Sequence, residues 1–208
     1  MNINKDIVNR ALEAAGQERL TDEDIKKNSS RWRLIKDNYL SVILTTLAKT
    51  TWTSQLKREK LKEAEKDNFT GYDYVYHLPV DCAKPEELQD EAEYNVEGKY
   101  LYTNSPMAVL CYVSNGRKKP EEISEVKEED YPEYEDIEFD PSLSEYIELQ
   151  LAAKIALKIT GNMQTFGLLY NQAMVIENNA RKATLEHAHS KEKGAAWWGD
   201  QMGLSVEG

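Results

Sequence analysis

Apolar residues recur at helical spacing over the first fifty positions of the chain. Ile7, Val8, Ala11, Leu12 and Ala15 form one stripe. Asn4 before it is a good N-cap and Gly16 after it a good C′ residue, so a helix is predicted from Asn4 to Ala15. A polar stretch without periodicity, Gln17 to Asn28, reads as a connection. A second helix is predicted from a cap at Ser29 or Ser30. Its buried face is Trp32, Ile35, Tyr39, Val42, Ile43, Thr46 and Leu47. The threonines 45, 46, 50 and 51 weaken its end and favour extended chain.

The pattern then changes period. Trp52, Ser54 and Leu56 alternate with polar residues and predict a strand. Residues 72–78 (Tyr-Asp-Tyr-Val-Tyr-His-Leu) alternate too, which puts Tyr72, Tyr74, Tyr76 and Leu78 on one face, expected to pack on the helical layer. Pro79 ends that strand because it has no N–H for the ladder. Residues 94–102 predict a hairpin turning at Glu97-Gly98-Lys99, and Ala108 to Val113 a short buried strand.

Helical spacing returns after Asp140-Pro141, a capping aspartate followed by a first-turn proline. Leu143, Ile147, Leu151, Ile155 and Ile159 recur every fourth residue, and Thr160-Gly161 ends the helix. A last helix from Asn162 carries a seam of Phe166, Leu169, Ala173, Ile176, Ala180 and Ala183. The expected fold is therefore α+β. Residues 1–51 and 140–189 form a helical bundle, 52–139 an inserted small antiparallel β subdomain with an acidic connector, and 190–208 a flexible tail. Gly194, Gly199, Gly203 and Gly208 argue against helix in the tail, while Trp197, Trp198, Met202 and Leu204 give it apolar groups. These either dock on another chain, pack on their own domain, or stay disordered.

Charge narrows the functional classes. The net charge of the 208 residues is −11, which disfavours a broad grip on nucleic acid. Arg117 to Asp140 alone holds eleven acidic and four basic residues, a net of −7. That stretch is either a solvated loop or a surface facing DNA or a basic partner. Acidic residues flank the tyrosine strand, so base stacking is not expected there.

Catalytic patterns are missing. No nucleophile-elbow or phosphate-loop motif occurs, and His187 and His189 are spaced wrongly to chelate one metal from a helix. Cys82 and Cys111 are expected to be free, partly buried thiols. No enzyme activity, cofactor or metal is expected, nor a signal peptide or membrane span.

Taken in order, several segments resemble the head-to-tail adaptor proteins of short-tailed bacteriophages, the tail-tubular-protein-A type. Ile7 to Gly16 is similar to that family's opening Ala-Leu-x-x-x-Gly helix, and Trp32 to Leu44 to its second helix. Tyr74-Val-Tyr76-His-Leu78-Pro79-Val-Asp81-Cys82 resembles its strand and Leu-Pro-x-Asp-Cys turn. The hairpin at Gly98 and the Phe139-Asp140-Pro141 helix start resemble later pieces. The resemblance covers most of residues 5–185. The acidic 117–140 connector and the Trp-containing tail depart from the pattern.

What the resemblance implies is a virion structural protein. It would form a ring, in this family typically dodecameric, beneath the portal protein, extend the DNA channel and dock the tail or nozzle protein. Genome DNA would pass through the lumen without specific binding, and assembly would take place in the host cytoplasm. The alternatives are an assembly chaperone or other binding module using the tryptophan tail and, more distantly, a tail-associated cell-wall hydrolase.

Overall fold

The computed structural model describes residues 3–66, 70–118 and 137–201. Helix α1 spans Lys5–Ala14 and is capped by Asn4, whose side chain accepts from the amides of Asp6 and Ile7. Gly16 beyond it has φ +69°, a left-handed conformation that a side chain would strain. Helix α3, Ser30–Lys49, is capped by Ser29, which accepts from the Trp32 amide. Between them the expected plain connection holds a short helix α2, Asp22–Lys26. Thr21 and Asp24 cap it reciprocally. That capping box was the sequence signal for α2.

Six strands follow among the described residues: β1 Leu56–Lys60, β2 Tyr74–His77, β3 Cys82–Leu88, β4 Tyr94–Glu97, β5 Tyr100–Thr103 and β6 Val109–Ser114. They form two antiparallel three-stranded sheets, ordered β1-β6-β3 and β2-β5-β4. The buried β6 is the centre of the first. Pro85 sits on edge strand β3, between two register irregularities, where a missing donor is tolerated. Gly98 and Lys99 connect β4 to β5, with Glu97 opposite Tyr100 and Gly98 at φ +62°.

Two details of the β region depart from the alternation. Trp52 to Leu56 is not a strand: Thr53–Gln55 is a 3-10 turn and β1 begins at Leu56. The turn lets Trp52 drop into the helical core, where only 3% of it is exposed and its ring meets Tyr146 at 5.5 Å. The tyrosines also divide. Tyr74, Tyr76 and Leu78 share a cluster with Leu61, Leu88, Leu101, Leu110 and Tyr112, whereas Tyr72, outside the strand, packs with Val75, Ala64 and Tyr102. The main tyrosine face therefore fills a core among strands and their loops, not a contact with the helices.

Helix α4, Pro141–Ile155, starts as expected: Asp140 accepts from the amides of Ser142 and Leu143, and Pro141 occupies the first turn. Leu143, Ile147, Leu151 and Ile155 are buried. Ile159 is 38% exposed, against expectation, because the chain widens into a π-helical turn over Ala156–Thr160. The wider turn changes the angle per residue, and a strict four-residue repeat drifts around a helix in any case. Gly161, at φ +65°, reverses the chain. Helix α5, Met163–Gln201, then packs back on α4 through Leu169 and Ala173, with Phe166, Ile176 and Ala180 partly buried against the same core and Ala183 exposed.

The main core joins α1, α3, α4 and α5, with Trp52 and Val113 reaching in from the β region. The fold is α+β, a helical bundle carrying an inserted small β region.

Candidate functional site

Two features of the helical half stand out as candidates for function, and both lie on α5. The first is its length. At about 1.5 Å per residue, 39 helical residues reach roughly 58 Å. Helix α4 and its π turn are only half as long in sequence, so α5 outruns the partner it packs on. The predicted break before residue 190 is absent: the helix passes through Gly194 and Gly199 to Gln201. Each glycine costs about 1 kcal/mol in a helix interior, and the adjoining Ala195, Ala196, Glu192 and Lys193 are strong helix formers. Trp197 and Trp198 thus stand on the last turns of α5. Met202 and Leu204 lie outside the described residues, as does most of the acidic connector, residues 119–136.

On the side of α5 away from the core, Leu168 and Val175 are 62% and 59% exposed. Seven residues apart, they occupy one face. Met163 and Tyr170 are also exposed, as are Leu157 and Ile159 on the preceding π turn. Phe166 and Tyr170 stack at 5.8 Å.

The second feature is a buried carboxylate. Glu177 is 1% exposed and sits in the seam between Ala173 and Ala180. Its oxygens accept from Lys49 Nζ at 2.8 Å, Thr50 Oγ1 at 3.0 Å, Tyr146 Oη at 3.1 Å and Arg181 Nη2 at 2.7 Å. One group thereby ties the end of α3 to α4 and α5. Burial pushes its pKa up, but the bonds from Lys49, Arg181, Thr50 and Tyr146 outweigh burial and bring it down to about 2. Burial, and then the Glu177 charge, push the Tyr146 phenol well up. Sequence reading missed this hub because three of its four partners, Tyr146, Thr50 and Lys49, are 31 to 128 residues away. The available signal was a lone acid in an otherwise apolar row, with Arg181 one turn on.

The landmark residues of the β region are structural. Asp81 is buried and accepts from Tyr112 Oη at 2.9 Å, Ser114 Oγ at 2.7 Å and Lys57 Nζ at 3.1 Å. It fixes the turn after Pro79 to β1 and β6. Burial raises its pKa, but the Ser114, Lys57 and Tyr112 contacts bring it below the usual range. Cys82 beside it is a free thiol pushed up to about 12, first by burial and then by Asp81, so it is protonated and unreactive at neutral pH. Cys111 is likewise in no disulfide. His77 lies against Tyr100 at 5.2 Å.

Among the described residues, no cluster of side chains has the makings of a metal site, and no helix is long and apolar enough to cross a membrane. No protein-family model and no curated protein matches the chain.

Proposed function

We propose that the protein is a head-to-tail adaptor of a short-tailed bacteriophage, a virion structural part that assembles as a ring beneath the portal protein. The observation that carries this reading is the long C-terminal helix, which outruns its bundle and bears the exposed Leu168 and Val175. A helix face of that kind suits packing against other subunits. The motif order supports the same reading: the opening helix, the Leu78-Pro79-Val80-Asp81-Cys82 turn, the Gly98 hairpin and the Asp140-Pro141 helix start follow one another as in that family. The net charge of −11 fits a channel wall along which DNA slides without adhering.

In this reading neighbouring copies build the ring, typically of twelve, and the ring extends the DNA channel and receives the tail or nozzle protein. The end of α5, with Trp197 and Trp198, docks on the portal. Deleting residues 191–208 tests that role. Recruitment to portal is expected to disappear while the melting temperature stays within about 2 °C. Retained recruitment contradicts portal docking by this segment, and a large fall in melting temperature means that the segment packs on its own domain.

A further inference from the structure

Helix α4 runs into its π turn with two lysines on one side. Lys154 Nζ donates to Ser41 Oγ at 3.4 Å, and Lys158 Nζ to Asn38 Oδ1 at 2.9 Å. Asn38 is 6% exposed, and its Nδ2 donates to the Leu34 carbonyl at 2.6 Å, which turns the amide oxygen toward Lys158. A π turn takes more residues per turn than an α turn, so Lys158 falls more nearly above Lys154 than in a plain helix. Such turns are frequent at functional sites. Among the described residues neither lysine forms an ion pair, and Asp37, one turn before Ser41 on α3, pairs with neither. Burial, and then the Lys158 charge, push the pKa of Lys154 down. Two ammonium groups are thus held together without an anion, on a chain whose acids outnumber its bases by 37 to 26.

The β region carries the complement. Glu86 to Glu93 holds five acids in eight residues and no base. Glu86 pairs with Lys84, Glu87 with Arg58, and Asp90 accepts from Ser105 Oγ. Glu91 and Glu93 are exposed and, among the described residues, without a cation. Glu91 stands at φ +56°, a left-handed position that favours glycine. A carboxylate kept at such a position points to a use for it.

The two patches are remote from each other within one copy. Asn38 lies twelve residues before Thr50, roughly 18 Å along α3. Strand β3 touches the far end of α3 through Thr51 and Glu86. It then leaves the helical core, with Ala83 against that core and Leu88 in the cluster of the β region.

We propose that Lys154 and Lys158 of one copy clasp Glu91 and Glu93 of a second copy, a contact that rests on the ring reading and forms part of its subunit interface. Each copy carries both patches, uncompensated and far apart, so the contact is head-to-tail and continues from copy to copy until it closes. Leu157 and Ile159, exposed on either side of Lys158, give the cationic patch an apolar border that suits a protein surface better than a free anion or nucleic acid. Charge complementarity of this kind fixes the register of partners.

Charge reversal tests the contact, read by mass photometry of the full chain with and without a portal protein of a short-tailed phage. Lys154→Glu with Lys158→Glu, and separately Glu91→Lys with Glu93→Lys, should each weaken assembly about a hundredfold, because like charges then face each other. An equimolar mixture of the two variants should restore it. Glu91→Gly should raise the melting temperature while weakening assembly several-fold, an outcome that a purely structural Glu91 does not give. Thermal melts check that the reversed variants fold; where one does not, Lys158→Gln or Glu93→Gln takes its place, with a several-fold loss expected. Assembly that survives these substitutions, or that the mixture fails to restore, overturns the contact and leaves the ring reading standing. A wild-type chain that stays monomeric with portal present overturns both.

Discussion

The helical half and the β half are each pinned by one buried carboxylate, and the two are built differently. Glu177 in the bundle receives two cations and two hydroxyls from three helices and their ends. Asp81 in the β region receives one cation and two hydroxyls, all from β1 and β6. Glu177 reaches Lys49 and Thr50, 128 and 127 residues away, as well as Tyr146, 31 away, whereas all the Asp81 partners lie 24 to 33 residues away. The difference teaches where the molecule depends on charge. In the bundle the ionic tie adds to an apolar core shared by α3, α4 and α5, while in the β region it adds to the backbone ladders.

The comparison can be broken from either side. Glu177→Ala leaves two cations and two hydroxyls without their acceptor, and a loss of about 3 kcal/mol in urea unfolding is expected. Lys49 and Arg181 are half-exposed, which keeps the figure at the lower end for a broken buried pair. Acid has the same target. The folded-state pKa of Glu177 lies below its ordinary 4.5, near 2, so its stabilisation is present above about pH 5 and is lost as pH falls toward 2. The full shift corresponds to about 3 kcal/mol, and Glu177→Gln should flatten the acid limb of the stability curve. An unchanged acid limb in that variant would assign the transition to other carboxylates.

Asp81→Asn is expected to cost about 2 kcal/mol, less than the Glu177 change, because the amide still accepts from Tyr112 or Ser114 while losing the Lys57 charge. If it costs more than Glu177→Ala, the ranking of the two halves is reversed. The smallest effect is expected at the hairpin. Gly98→Ala forces a side chain into φ +62° and should lower stability by about 1 kcal/mol, although a Cβ there meets nothing within 4 Å.

Much of this architecture was legible in the sequence where the cause is local. Asn4, Ser29 and Asp140 cap the helices they were expected to cap, because a cap depends on three or four consecutive residues. The Gly98 turn and the buried β6 follow from equally local chemistry. The exceptions have non-local causes. Trp52 leaves the strand pattern because Tyr146 and the helical core receive its ring. Tyr72 parts from Tyr74 and Tyr76 because β2 begins only at Tyr74. Ile159 turns outward because the end of α4 widens into a π turn. The Glu177 hub assembles from residues around 49, 146 and 181, a grouping no periodicity reveals. The passage of α5 through Gly194 and Gly199 was hidden for the opposite reason: local propensity argued against it.

Electron microscopy of the purified chain, with and without a portal protein of a short-tailed phage, tests the proposed adaptor role most directly. Rings of the chain stacked coaxially beneath the portal are the predicted result, whether or not rings form without it. A chain that stays monomeric and unattached when portal is present contradicts the assignment.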